Sequence, residues 1–260
     1  MTKTSDSFAD ALLEATLAHR SLPVPADLAA GFTIADGQAM SSRNAARLLE
    51  RIGGHVTGVK LGATNAAAMA RLGLERPFVG PLFSARTFAQ PVTLPRADFV
   101  ACIVEVELAV RLGRDVGADG RPVTRDALAD AIDQAFPVIE IADSRLVDWT
   151  SVRPGFIYAD LGFAGALVTG APIATWREID FAAAQVKLLV NGAQVREGAG
   201  AAVMGHPLDA LAGMVAHIRG GLRAGQVVST GTWIAPHFGQ AGDRIVADFG
   251  ALGRVAVDLA

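Results

Sequence analysis

Three glutamates, Glu105, Glu107 and Glu140, stand where carboxylates are expensive without a partner. The first two lie in a run whose even positions are all apolar: Val100, Cys102, Val104, Val106, Leu108, Val110 and Leu112. Period two predicts a half-buried strand, with Glu105 and Glu107 on the side opposite the apolar row. Residues two apart on a strand are roughly 6.5–7 Å apart at Cα. Their carboxylates can therefore converge on one cation, and they repel one another without it. Glu140 follows in a second strand-like run, 137–143, between Ile139 and Ile141, where an unpaired charge is costly. Oxygen donors with no thiol or imidazole beside them suit a hard divalent ion, Mg²⁺ or Mn²⁺. The same pattern also fits a solvated strand face, with Glu140 as an ion-pair partner for Arg145.

Other side chains are weighed against this triad. Lys60 sits in Gly58-Val-Lys-Leu-Gly62, where flanking glycines allow close approach by a ligand; its alternative is a strand lysine whose head reaches water. None of the five histidines, His19, His55, His206, His217 and His237, is paired at metal-ligand spacing. His217 reads as structural. His206 precedes Pro207 at a helix start and serves either as a cap or as a site residue. Gly198-Ala-Gly200 opens like a dinucleotide fingerprint, but Val203 occupies the place of the third glycine. No phosphate-binding loop and no Gly-x-Ser-x-Gly elbow occurs.

The elements that must position these residues can be read from period and punctuation. Helices are expected over residues 8–17, from Thr33 to Gly53-Gly54 with Thr33 and Asp36 as an approximate capping box, over 65–72, over 125–134 capped by Thr124, and from His206 to Gly220-Gly221. Strands are expected over 55–61, 100–112, 137–143, 226–230, 244–249 and 254–259, with an apolar run over 161–169. Asn191-Gly192 marks a type I′ hairpin between 186–190 and 193–195. Strands and helices do not alternate regularly, which disfavours a doubly wound parallel sheet. The chain has 260 residues and is 51% hydrophobic, enough for one large domain with a sizeable core. We expect a helical part, 1–54, packed on a β-rich core, 55–260. A net charge of −3 without basic clusters argues against nucleic acid as a partner. With no apolar leader and no unbroken apolar span, a cytoplasmic protein without a membrane partner is expected. The single cysteine, Cys102, lies on the apolar side of its strand and is expected to be unreactive.

Taken together, the segments resemble the 2-keto-4-pentenoate hydratase and 4-oxalocrotonate decarboxylase family, within the fumarylacetoacetate hydrolase superfamily. The matching stretches include Gly58-Val-Lys-Leu-Gly-Ala-Thr64, Arg71-Leu-Gly-Leu74, Val104-Glu-Val-Glu-Leu108, Val138-Ile-Glu-Ile-Ala-Asp-Ser-Arg145, 198–207, Arg223-Ala-Gly-Gln226 and Ala241-Gly-Asp243, in the family's order. The resemblance implies an α+β fold with a twisted, mixed β-sandwich or barrel-like core and peripheral helices, and a homo-oligomer. It implies Mg²⁺ or Mn²⁺ on Glu105, Glu107 and Glu140, with Lys60 at the active-site lysine. It implies a hydratase of a 2-hydroxydienoate or 2-oxo acid in aromatic-compound catabolism, acting through an enolate. A decarboxylase or C–C hydrolase of a related acid, or a catalytically silent homologue, is the alternative. Lys60 and His206 are the catalytic candidates; Leu61, Phe78, Phe163 and Thr232 are the substrate-binding ones. Desolvation of Lys60 could bring its pKa toward neutrality. Phe78 stands where family hydratases usually carry an aspartate, and Leu161 and Phe163 stand where they carry asparagine and serine. An apolar cavity and an uncharged or aromatic substrate tail follow from these changes.

Overall fold

The alternating strand predicted around Glu105 is the spine of the molecule. The structure, a computed structural model, describes residues 3–260. Its helices are α1 (Lys3–Leu17), α2 (Ala26–Ala29), α3 (Ile34–Ile52), α4 (Ala66–Arg71), α5 (Arg125–Ala131), α6 (Pro154–Ala159) and α7 (Pro207–Val215). Its strands are β1 (Val56–Gly62), β2 (Phe78–Phe83), β3 (Thr87–Ala89), β4 (Val92–Leu94), β5 (Ile103–Leu112), β6 (Ile132–Ala142), β7 (Ala166–Thr169), β8 (Gln185–Val190), β9 (Ala193–Ala199), β10 (Val227–Thr232), β11 (His237–Phe238), β12 (Arg244–Asp248) and β13 (Arg254–Leu259). One sheet runs β2-β1-β10-β5-β6-β7-β3, with β11 also pairing to β5; the other runs β4-β13-β12-β8-β9. Pairing is mostly antiparallel, but β1–β10, β3–β7 and β4–β13 are parallel. This is a mixed α+β fold in which a curled, barrel-like sheet is flanked by helices, as expected.

The even residues of β5, Val104 to Val110, face the second sheet. They share one core with Val186, Leu188, Ile245, Ala247, Val255 and Val257, closed at its end by Leu208, Leu211 and Val215 of α7. The odd face differs from expectation. It is largely buried too, and the N-terminal helices with α6 add a further layer to the molecule. Leu13 of α1 and Leu48 of α3 pack on Phe83, Leu161 and Ala164, while Phe8, Leu12 and Met40 pack on Leu146 and Phe156. On the side carrying the glutamates, Ile103 packs with Phe78, Ile157 and Phe163, and Ala109 with Leu82, Phe136 and Leu167, so that side is largely enclosed.

Local signals explain most elements. Thr33 Oγ1 accepts from the Asp36 N–H, and the Asp36 carboxylate accepts from the Thr33 N–H, so the capping box is complete. Asn191 and Gly192 both have positive φ, as a type I′ turn requires. Two expectations are corrected, and one apolar run is resolved into its parts. The helix over 125–134 ends at Ala131, because Ile132 leaves it to pair with Leu112. The helix after His206 stops at Val215 and continues only as tight turns closed by His217 and Ile218 N–H groups. The apolar run 161–169 is a turn first and a strand only from Ala166.

Candidate metal centre and active site

Sheet register gathers the polar residues. Glu105 on β5 lies directly across from Glu140 on β6, and Glu107 is two residues along the same face. On the other side of β5, Ser229 of β10 pairs with Ala109 and Thr232 with Glu107. Lys60 of β1 in turn pairs with Ser229. One sheet face thus carries the lysine, the serine and the three carboxylates. Carboxylate oxygens of Glu105, Glu107 and Glu140 all lie within 4.8 Å of one another. Lys60 Nζ forms an ion pair with Glu140 Oε1 and lies 3.9 Å from Glu105 Oε2. Arg145 does not pair with Glu140; it is committed to Asp160, with Nε 2.6 Å from Oδ1, and to the backbone carbonyls of Asp160 and Ala164.

The electrostatics are severe. Lys60, Glu107 and Glu140 are fully buried, and Glu105 is mostly so. Burial pushes the Glu105 carboxyl up to about 7, aided by Glu140 and opposed by Lys60. Burial, then the charges of Glu140 and Glu105, holds Glu107 well above the ordinary carboxylate range. For Lys60 the expectation is corrected. Burial alone pushes it toward neutrality, but Glu140 and Glu105 outweigh that and hold its pKa above the ordinary lysine value.

The donor set fits a hard cation. Glu107 Oε2 is saturated by the Ser229 hydroxyl and by the Gly231 N–H at 2.7 Å, while its Oε1 is buried with no hydrogen-bond partner among the described residues. An orphaned, buried carboxylate oxygen grouped with two other carboxylates is the donor arrangement that a divalent ion satisfies. Gly231 has φ +109°, and a Cβ there would strike the Thr64 side chain. Glycine is thus required for this backbone to reach Glu107.

Lys60 and Glu105 open onto a cavity of about 520 Å³. Leu61, Phe78, Phe163 and Thr232, expected to bind substrate, all line it, as do Ile103, Trp149 and Arg71, which sequence reasoning did not single out. Phe163 meets both Phe78 and Trp149 edge-on, at centroid distances of 5.9 and 5.4 Å, so the wall is a packed aromatic cluster. His206 is not brought here. Its Nδ1 accepts from the Leu208 N–H at 3.1 Å, capping α7, and its ring edge rests near Phe181 in a separate surface hollow. The reading of His206 as catalytic is therefore corrected to that of a helix cap: the free N–H groups of the first turn claim its ring. Ser229 and Gly231 were missed. Their trace in sequence is only the pair of hydroxyl residues, Ser229-Thr230, that follows two strand-forming valines, Val227-Val228.

The family described as fumarylacetoacetate (FAA) hydrolase, C-terminal, matches residues 49–260. A 2-keto-4-pentenoate hydratase of Paraburkholderia xenovorans (strain LB400) is 30% identical over 226 residues, covering 86% of this chain and 82% of the relative. The chain belongs to the fumarylacetoacetate hydrolase superfamily, in its 2-keto-4-pentenoate hydratase and 4-oxalocrotonate decarboxylase family. Another member, a 4-oxalocrotonate decarboxylase of Pseudomonas putida, is 31% identical over 219 residues, 81% of this chain and 80% of the relative. The structure of 4-oxalocrotonate decarboxylase from Pseudomonas putida G7, complexed with magnesium and adipate, superposes with a TM-score of 0.90 at 26% identity, covering 100% of this chain and 99% of that one. As a member of this family the chain is an enzyme of the lyase class. Among the described residues no helix is long and apolar enough to cross a membrane.

Proposed function

We propose that this family member is a divalent-metal-dependent lyase that acts on a 2-oxo acid, or its 2-hydroxydienoate form, through an enolate. The observation that carries the reading is the single sheet face on which Lys60 stands among three carboxylates at the wall of an apolar cavity. Glu105, Glu107 and Glu140 would hold Mg²⁺ or Mn²⁺, and the magnesium in the related decarboxylase structure supports the choice of a hard ion. When bound, the ion supplies Lewis-acid stabilisation for negative charge developing on a keto oxygen. Lys60 places an ammonium donor at the cavity wall, able to hydrogen-bond that oxygen or return a proton to carbon. Phe78, Phe163 and Trp149 keep water from the reacting chain.

The geometry favours loss of carbon dioxide over addition of water. Among the described residues, the ionisable side chains lining the cavity are Lys60, Glu105 and Arg71. Adding water calls for a further group to activate it, and the position that would supply one is the ring of Phe78. Decarboxylation needs an electron sink. The bond to a carboxylate on a saturated carbon β, or vinylogously β, to the keto group breaks, carbon dioxide leaves, the electron pair passes through any intervening double bond into the enolate, and carbon is reprotonated. Arg71 has no ion-pair or hydrogen-bond partner among the described residues, and it offers a guanidinium to a second carboxylate. That replaces the expected uncharged tail with a dicarboxylate, and the adipate in the related structure is of this chemistry. Hydration remains the second reading, favoured by the sequence-related hydratases.

The test is to incubate the magnesium-loaded protein with 4-oxalocrotonate and with a 2-hydroxydienoate, following carbon dioxide release and product mass. Carbon dioxide from the dicarboxylate, with KM raised about tenfold or more in Arg71→Gln through the lost charge-assisted pair, supports the first reading. A mass gain of one water on the dienoate without gas selects hydration. Absence of both reactions, with the metal bound, refutes the lyase reading.

A further inference from the structure

Beside the three carboxylates lies a hydroxyl that no ligand assignment uses. Ser229 is fully buried, and its Oγ donates to Glu107 Oε2 while lying 3.0 Å from Glu140 Oε2. The Gly231 N–H, two residues on, reaches the same Glu107 oxygen at 2.7 Å. A hydroxyl carries one proton, so Ser229 donates to one carboxylate at a time, and the closer contact assigns that proton to Glu107. Both contacts are on the Oε2 side. The opposite oxygens are left for charge: Glu140 Oε1 meets Lys60, and Glu107 Oε1 has no partner among the described residues.

We propose that Ser229 is a positioning residue that fixes which edge of Glu107 is presented to the cation and so sets the affinity of the site for divalent metal. The proposal rests on the metal reading above. A buried glutamate has three side-chain torsions, and apolar neighbours cannot distinguish its two oxygens. Anchoring Oε2 from two directions, with a hydroxyl and a rigid backbone N–H both supplied by β10, leaves only Oε1 free to turn toward Glu105 and Glu140. Ligand atoms held in place before the ion arrives lose less freedom on binding. The adjacent hydroxyl provides an internal contrast. Thr230 is equally buried, but its Oγ1 donates to the Leu108 carbonyl at 2.8 Å and not to a carboxylate.

The test is Mn²⁺ titration of the full-length protein, read from the electron paramagnetic resonance signal of free Mn²⁺, with thermal melting in EDTA measured alongside. Ser229→Ala should weaken Mn²⁺ binding about 10–100-fold, the usual effect of removing a group that orients a ligand. Thr230→Val, which also removes a buried hydroxyl from the same strand, should bind Mn²⁺ within twofold of wild type. Ser229→Cys, with a poor donor, should fall on the weak side and replaces the alanine variant if that one does not fold. Wild-type affinity in the Ser229 variants overturns the proposal. So does an equal loss in Thr230→Val, which would mean that any loosening of β10 matters. If the wild-type protein itself binds no Mn²⁺, the metal reading falls and this inference with it; a bound wild type with unchanged Ser229 variants refutes the positioning role alone.

Discussion

Replacing Glu107 by glutamine should make the metal-free protein more stable while abolishing its response to metal. Glu107 is fully buried and has carboxylate oxygens of Glu105 and Glu140 within 4.8 Å. Burial and these neighbours hold the Glu107 carboxyl well above the ordinary carboxylate range; ionised, it meets a repulsion of about 3–4 kcal/mol per unit charge at that separation and the effective dielectric suited to buried sites, and it avoids this only by taking up a proton on folding, which also costs stability above the unfolded-state pKa. Lys60 offsets part of this, but it is committed first to Glu140. The substituted amide would keep an oxygen for the Ser229 hydroxyl and the Gly231 N–H, and its NH₂ would fall where Glu107 Oε1 now lacks a partner. An unsatisfied amide costs about 1–3 kcal/mol. The balance is a gain of about 1–2 kcal/mol, or roughly 2–8 °C in melting temperature for a chain of this size. The assay is thermal melting in EDTA and then in excess Mn²⁺. At 100 times its dissociation constant, the ion should add about 2.7 kcal/mol to the wild type and nothing to the variant, so the order of stability reverses between the two conditions. A Glu107→Gln protein that melts lower in EDTA, or that is still stabilised by Mn²⁺, refutes the argument that these carboxylates are crowded together to receive a cation.

Three other outcomes follow from the packing. Asp160→Asn leaves the buried Arg145 guanidinium with only the longer, 3.6 Å contact to Asp143 as counter-charge, and urea unfolding should show a loss of about 3 kcal/mol, the low end for a broken buried pair. Burial pushes the Cys102 thiol from 9.0 up to about 11, which leaves about 100-fold less thiolate near pH 8; labelling with a thiol reagent should be negligible in the native state and complete in denaturant. His206→Ala should cost about 1 kcal/mol through the lost cap of α7 and leave Mn²⁺ affinity unchanged, whereas a weakened affinity would restore His206 to the site.

Much of this was legible before folding. Period two in 100–112 put Glu105 and Glu107 on one side, and the Ile-Glu-Ile context marked Glu140 as a charge in the wrong surroundings. The Thr33–Asp36 box and the Asn191-Gly192 turn announced their own geometry, because capping and tight turns depend on neighbours a few residues apart. Lys60 was legible mainly through resemblance, since a lysine between apolar strand residues reads equally well as a surface group.

What tertiary structure alone decided depends on contacts across long stretches of chain. Only the pairing of β5 with β6 sets Glu105 opposite Glu140, and only the insertion of β10 between β1 and β5 brings Ser229 and Gly231 to Glu107. No local pattern encodes a meeting between Ser229 and Glu107, which are 122 residues apart along the chain. The burial of the glutamate face was equally hidden, because the residues that enclose it, among them Leu82, Ile157 and Phe163, come from distant segments of the chain. That covering reversed the expectation for Lys60: a buried lysine alone loses its charge, but a buried lysine set among three carboxylates keeps it. His206 went the other way, from site candidate to cap, because the nearest unsatisfied N–H groups were those of its own helix. Residue types and local spacing determined which groups could do chemistry; the order of strands in the sheet decided which of them meet, because register between distant segments is settled only when the whole core packs.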